Sequence, residues 1–214
     1  MAPTPLLPSW IHAGHPLYLN QAIRSRIRRK YRPDAIFLNI PYSHHYSRQE
    51  VAILSTVTAY GLLPRMARQR GRLEVRLLKI LELILSCRYG ITDLSYARRM
   101  NMPFELGLLL ALGKECFVTS QRRFAALREI SDLNFTDIYY YGGSLRRLVV
   151  GLSQWIEQNY SRERLTTETL IRRYRRLRRI RAELKEDFDR LRPEEVAKLL
   201  GVARDESSRL ARIR

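Results

Sequence analysis

ITDLSYARRMNMPFELGLLLALGKECFV, residues 91–118, decides how the chain is read. The apolar run Tyr89–Leu94 has the look of a buried strand and carries an acid, Asp93, near its end. A polar loop follows. Met102–Leu112 then reads as an apolar helix closed by Gly113, and Glu115–Thr119 (ECFVT) as the next strand. Strand, helix, strand is a crossover unit. Its two strands run parallel because the connecting helix must pass over one face of the sheet. A second acid, Glu105, falls in what the sequence predicts to be the first turn of that helix, one residue after Phe104 and two before Gly107, a glycine that would let the helix pack closely on the sheet.

The same alternation extends in both directions. Upstream, Ala35–Ile40 (AIFLNI) is an apolar strand after Pro33-Asp34. Ser47 is placed to cap a helix running to about Tyr60, with Glu50 completing a capping-box pattern. Gly61–Arg65 is a weak second strand. In Leu73–Ser86, residues Leu73, Leu77, Ile80, Leu81 and Ile84 recur at helical spacing. Downstream, Gln121–Ile130 reads as helix, Asp137–Tyr141 as a fifth strand and Ser144–Asn159 as the helix after it. Five such units imply a parallel sheet covered on both faces, in the flavodoxin-like order 2-1-3-4-5. Ligands of such sheets bind beyond the carboxyl ends of the strands. That places five loops on one rim: Pro41–Tyr46, Pro64–Arg68, Asp93–Asn101, Ser120–Arg123 and Gly142–Ser144.

Charge divides the 214 residues into three segments. Residues 1–33 carry six basic and no acidic side chains; 34–160 carry 16 and 11; 161–214 carry 17 and 10. The formal net charge of +18 points to polyanions, and the excess sits at the two ends. The expected organisation is therefore a basic N-terminal segment (1–33), an α/β domain (34–160) and a basic helical C-terminal extension (161–214). Arg162–Leu191 lacks Gly and Pro. Leu170, Tyr174, Leu177, Leu184, Phe188 and Leu191 form a seam, interrupted by Arg181, for packing on the domain or on a second copy. Arg172, Arg173, Arg175, Arg176, Arg178 and Arg179 lie on the other side. They suit a nucleic-acid backbone or a protein partner, or else form a solvated face with Glu163, Glu168 and Glu183. Pro193 opens a further short helix ending at Gly201.

No apolar run approaches the roughly 20 residues needed to cross a bilayer. The proline-broken N-terminus does not resemble a secretory signal. Cys87 and Cys116 read as buried thiols of a reducing compartment, so a cytoplasmic location is expected.

Two readings of Glu105 compete. In one, Asn101 caps the helix, Pro103 suits its first turn, and the acid complements the helix dipole by about 0.3–1 kcal/mol. In the other, Glu105 and Asp93 share the strand-end rim, where two carboxylates are costly unless solvated, paired or used. A glutamate held at an anomeric carbon can act as nucleophile or stabilise an oxocarbenium-like transition state.

Asp93-Leu94-Ser95, Asn101, Phe104-Glu105-Leu106-Gly107 and Ala111-Leu112-Gly113-Lys114 before the strand CFVT resemble the signature of the nucleoside 2-deoxyribosyltransferase-like superfamily, which includes nucleotide-binding TIR-like domains. The first strand with Pro41-Tyr42 is similar to its opening motif. The resemblance spans roughly residues 34–157. It implies that Glu105 attacks C1′ of a nucleoside or nucleotide and releases the base, leaving a glycosyl-enzyme that a second base or water resolves. Asp93 would contact the base or organise the site. Tyr42 would line the pocket near the sugar, with Pro41, Ser95 and Asn101 among the substrate-binding residues. The resemblance also implies a homo-oligomer and, by analogy with TIR-like relatives, NAD consumption in defence.

The rim departs from that pattern in being basic, with Arg65, Arg98, Arg99, Arg122 and Arg123. Guanidinium forks suit phosphate, so Arg98, Arg99 and Arg122 favour a nucleotide or NAD over a free nucleoside; a solvated face is the alternative. Gly142-Gly143-Ser144 precedes a helix, where Ser144 and backbone N–H groups are placed for a phosphate or form a simple turn. His44-His45 lies beside the proposed pocket, in place for a proton shuttle. No Cys/Asp/His set completes a metal site, and no P-loop or GxGxxG fingerprint occurs, so neither metal nor cofactor is expected. Most of Tyr139-Tyr140-Tyr141 is assigned to the core.

Overall fold

A computed structural model describes residues 19–41, 43–67, 73–95, 101–122, 137–160 and 165–184. Five parallel strands form one sheet in the order β2-β1-β3-β4-β5. They are β1 (Arg32–Asn39), β2 (Leu63–Arg65), β3 (Cys87–Asp93), β4 (Glu115–Ser120) and β5 (Ile138–Tyr140). This is the flavodoxin-like order. The helices among the described residues are α1 (Gln21–Lys30), α2 (Ser47–Ala59), α3 (Leu73–Leu85), α4 (Asn101–Ala111), α5 (Leu145–Asn159) and α6 (Thr167–Leu184).

The central strands are buried on both faces, so their side chains sort by the two-residue pleat. Ile36, Leu38, Tyr89, Ile91 and Phe117 join α2 and α5 in one core. Ala35 and Phe37 join Ile80, Ile84 and Leu109 of α3 and α4 in the other, as does Cys87, which departs from the alternation where the β1–β3 register is irregular. The close approach of α4 depends on Gly90, where a Cβ would lie 2.9 Å from Leu109 Cδ2. Gly107, the glycine whose position suggested close packing, is exposed and has no atom within 4 Å of where its Cβ would stand.

The two ends of the chain join the domain more closely than their charge suggests. The N-terminal segment contains a helix the sequence reading missed. Asn20 caps α1 by accepting from Ile23 N–H at 2.9 Å, and Leu19 and Ile27 pack with Leu81 and Leu85 of α3. Arg26 and Lys30 reach Glu82 of α3 at 3.0 and 2.8 Å, which uses part of the basic charge internally.

At the other end, α6 lies on α2. Leu170 and Leu177 are buried in the α2–α5 core, with Tyr174 and Ile180 against it. The described part of the seam, Leu170, Tyr174 and Leu177, thus packs within the chain. Arg181, its one polar interruption, donates to Ser47 O at 3.2 Å and pairs with Glu50 at 3.4 Å. That pairing also explains why the expected capping box is absent. Glu50 is drawn to α6, and α2 is entered from a 3-10 turn, His44–Tyr46, with no side-chain cap. With α6 outside and the sheet inside, every residue from Glu50 to Thr58 is buried.

Phe188, Leu191, the helix opened by Pro193 and most of Gln121–Ile130 lie outside the described residues. Among the described residues no helix is long and apolar enough to cross a membrane.

Candidate functional site at the strand carboxyl edge

The strand order reverses between β1 and β3, and doubly wound sheets bind ligands beyond the carboxyl ends of the strands at such a point. Asn39, the last residue of β1, lies there. Its Nδ2 donates to Met102 O at 2.8 Å and lies 3.4 Å from Thr92 Oγ1, so one amide ties the start of α4 to the ends of both strands. A buried amide held this way needs its partners, because an orphaned donor costs about 1–3 kcal/mol.

Glu105 stands one helical turn further along α4. The helix opens at Asn101, so Glu105 is its fifth residue and its first turn contains no acid. The dipole reading weakens accordingly, since that effect fades within the first turn. Met102, Leu106 and Leu109 face the sheet. Glu105 flanks this stripe on the side that continues to Leu108 and Leu112, which pack towards Ala35, Phe37 and Ile84. It is therefore on the flank of α4 towards β1, partly buried.

Asp93 takes a different place. Following the pleat of Tyr89 and Ile91, it turns to the α2–α5 layer, whereas Glu105 rises from the α4 layer on the opposite face. The sequence reading put both acids on the strand-end rim; they belong to opposite layers of the sheet. Asp93 is 0% exposed. Its Oδ2 accepts from Tyr46 Oη at 2.5 Å and Tyr141 Oη at 3.1 Å, and its Oδ1 accepts from Ser95 N–H at 2.7 Å. Burial raises its pKa above the ordinary carboxylate value of 3.8, and the Ser95, Tyr46 and Tyr141 hydrogen bonds oppose that rise. Burial and the nearby Asp93 charge push the Tyr46 phenol well above 10.0, so Tyr46 is the neutral donor of the pair.

The network continues along the edge. Ser95 Oγ lies 3.2 Å from Tyr141 Oη and accepts from Gln121 N–H at 2.7 Å. Tyr141 donates to Asp93, and the Ser95 hydroxyl stands within reach of both. The loops after β1, β3, β4 and β5 are thereby joined through Tyr46, Ser95, Gln121 and Tyr141. Neither tyrosine was picked out from sequence. Tyr46 lies 47 positions from Asp93 and Tyr141 lies 48 from it, and only the fold brings them together.

The other expected residues divide. Pro41 is buried at the end of β1. Arg122 is exposed just beyond β4, its carbonyl accepting from Ser120 Oγ at 3.2 Å. Ser144 caps α5 by accepting from Arg147 N–H at 3.3 Å, after Gly142 and Gly143 with φ of 59° and 76°. Those left-handed residues make a turn that requires glycine. Arg65 leaves the rim, since its Nη1 donates to Ser86 Oγ at the amino end of β3. Lys114, from the motif, also sits at the amino edge. It donates to Cys87 O at 2.7 Å, and burial lowers its pKa below 10.5. Asn101 is described in its backbone alone. Tyr42, Arg98, Arg99 and Arg123 lie outside the described residues.

The chain matches no family model, no curated protein and no solved structure.

Proposed function

We propose that the carboxyl edge at β1 and β3 takes a nucleotide-type substrate, a nucleoside phosphate or NAD, and that Glu105 cleaves or transfers its N-glycosidic bond. The observation that carries this reading is the Asn39–Met102 hydrogen bond. It fixes the helix bearing Glu105 at the switch point of the sheet, the place where doubly wound folds bind ligands. A Glu105 oxygen attacks C1′, the C1′–N bond breaks, and its electron pair leaves with the base. Water or a second base then attacks C1′ and frees the carboxylate.

Asp93 is a positioning residue in this scheme. Its buried carboxylate orients Tyr46 and Tyr141 and so sets the loops along that edge. Arg122, with Arg98 and Arg99 from the preceding loop, supplies phosphate-binding charge, and Tyr42, Pro41, Ser95 and Asn101 complete the lining. Self-association and a cytoplasmic setting belong to the same proposal, as does the defence role suggested by analogy.

The experiment is to incubate the full chain with NAD and a panel of nucleosides and nucleotides and to assay free base. Glu105→Gln is expected to abolish release by more than about 1,000-fold while leaving ligand binding and melting temperature unchanged. One observation favours a second reading, a non-catalytic nucleotide sensor or scaffold. The Asp93 carboxylate is engaged by internal donors on both oxygens. Binding of a nucleotide without base release by the wild type would select that reading.

A further inference from the structure

We infer that the outward face of α6 is a phosphate-binding surface for nucleic acid, a role separate from the carboxyl edge. Arg172, Arg175, Arg176 and Arg179 are all exposed. Steps of three, one and three residues put them on one side of a helix over about 10 Å of axis. Docking fixes this presentation. Leu170, Tyr174, Leu177 and Ile180 are committed to the core, and Arg181 is held by Glu50, so α6 cannot roll to hide the four. Glu168 and Glu183 stand at the two ends of the face, with no acid between them along the helix. Among the described residues none of the four arginines has an ion-pair partner. Like charges so spaced repel one another, and a polyanion relieves the repulsion.

The chemistry of the face selects the partner. A membrane-surface helix turns its apolar side to lipid, but here that side is buried against α2. A protein interface needs a desolvated apolar or aromatic centre, and these positions offer none. Guanidinium forks pair bidentately with phosphodiester oxygens. The absence of an aromatic among the four removes the stacking platform used for single strands. The face therefore suits the backbone of a duplex, read without regard to sequence.

The test is fluorescence anisotropy of the full chain with a labelled 25-base-pair duplex between 50 and 200 mM salt. Four phosphate contacts contribute about 3.6 to the slope of log K against log salt, or about 150-fold over that range. Replacing Arg172, Arg175, Arg176 and Arg179 with Gln is expected to remove that slope component without lowering the melting temperature. The variant Arg28→Gln/Arg29→Gln on α1, which removes two exposed charges from the opposite layer, is expected to keep it, whereas Arg175→Gln/Arg176→Gln on α6, matched to it in charge, should lose about half. A four-lysine version should retain most of the slope and lose affinity. Three results would overturn the inference: no duplex binding by the wild type, equal slope loss in the α1 and α6 variants, or binding to phosphatidylserine vesicles in place of duplex.

Discussion

A single buried acid sets the local chemistry of the carboxyl edge. Asp93 has no solvent and three donors. Tyr46→Phe removes the shortest of them, and the expected loss is about 1.5–3 kcal/mol in urea unfolding, the usual worth of a hydrogen bond to a charged group. The pH response has a definite sign. The folded pKa of Asp93 lies above its ordinary value of 3.8, so the folded state holds this proton at pH values where the unfolded chain has released it. The Asp93 contribution to stability is then fully present below the unfolded value and is lost as pH rises through the folded one. Wild type should gain stability relative to Asp93→Asn as pH falls from 7 towards 4, and a difference flat across that range would contradict the assignment. Composition and spacing disclosed the acid but not its partners, because a carboxylate at a strand end looks the same whether it meets substrate or a tyrosine hydroxyl.

At the scale of elements, period carries most of what the sequence discloses. Runs such as AIFLNI and ECFVT, and the spacing of Leu77, Ile80, Leu81 and Ile84, located the strands and helices, and the crossover rule then gave their order. Contacts between elements are not periodic, and there the reading faltered. It took Gly107 for the packing glycine, whereas the helix meets the sheet at Gly90. The two positions predict opposite outcomes. Gly90→Ala should cost about 1–3 kcal/mol by overpacking Leu109 and Cys116. Gly107→Ala, exposed in a helix interior, should stabilise by about 0.5–1 kcal/mol. Thermal melts of the two variants would settle the contrast. The start of α4 was equally illegible, because Asn101 looked like a cap and proved to be the first helical residue, which moved Glu105 out of the first turn.

For the whole molecule, the segmentation by charge and the segmentation by packing disagree. Composition shifts at about residue 161, but the α2–α5 core continues into Leu170 and Leu177 of α6. Arg181 interrupted the seam in sequence, and in space it is the residue that anchors α6 to Glu50. Arg181→Met keeps the packing but takes the cation from the buried Glu50 carboxylate, while Arg181→Ala loses both. The expected order of melting temperature is wild type above Arg181→Met, with Arg181→Ala lowest. The position of α6 also has a practical reading. A chain severed after Tyr160 should yield two fragments that travel together on a sizing column and part only in denaturant, because α6 is a roof over α2 rather than a tether. Its shape would then be as inheritable as its charge, and a graft of the arginines onto another protein would need the floor beneath them as well.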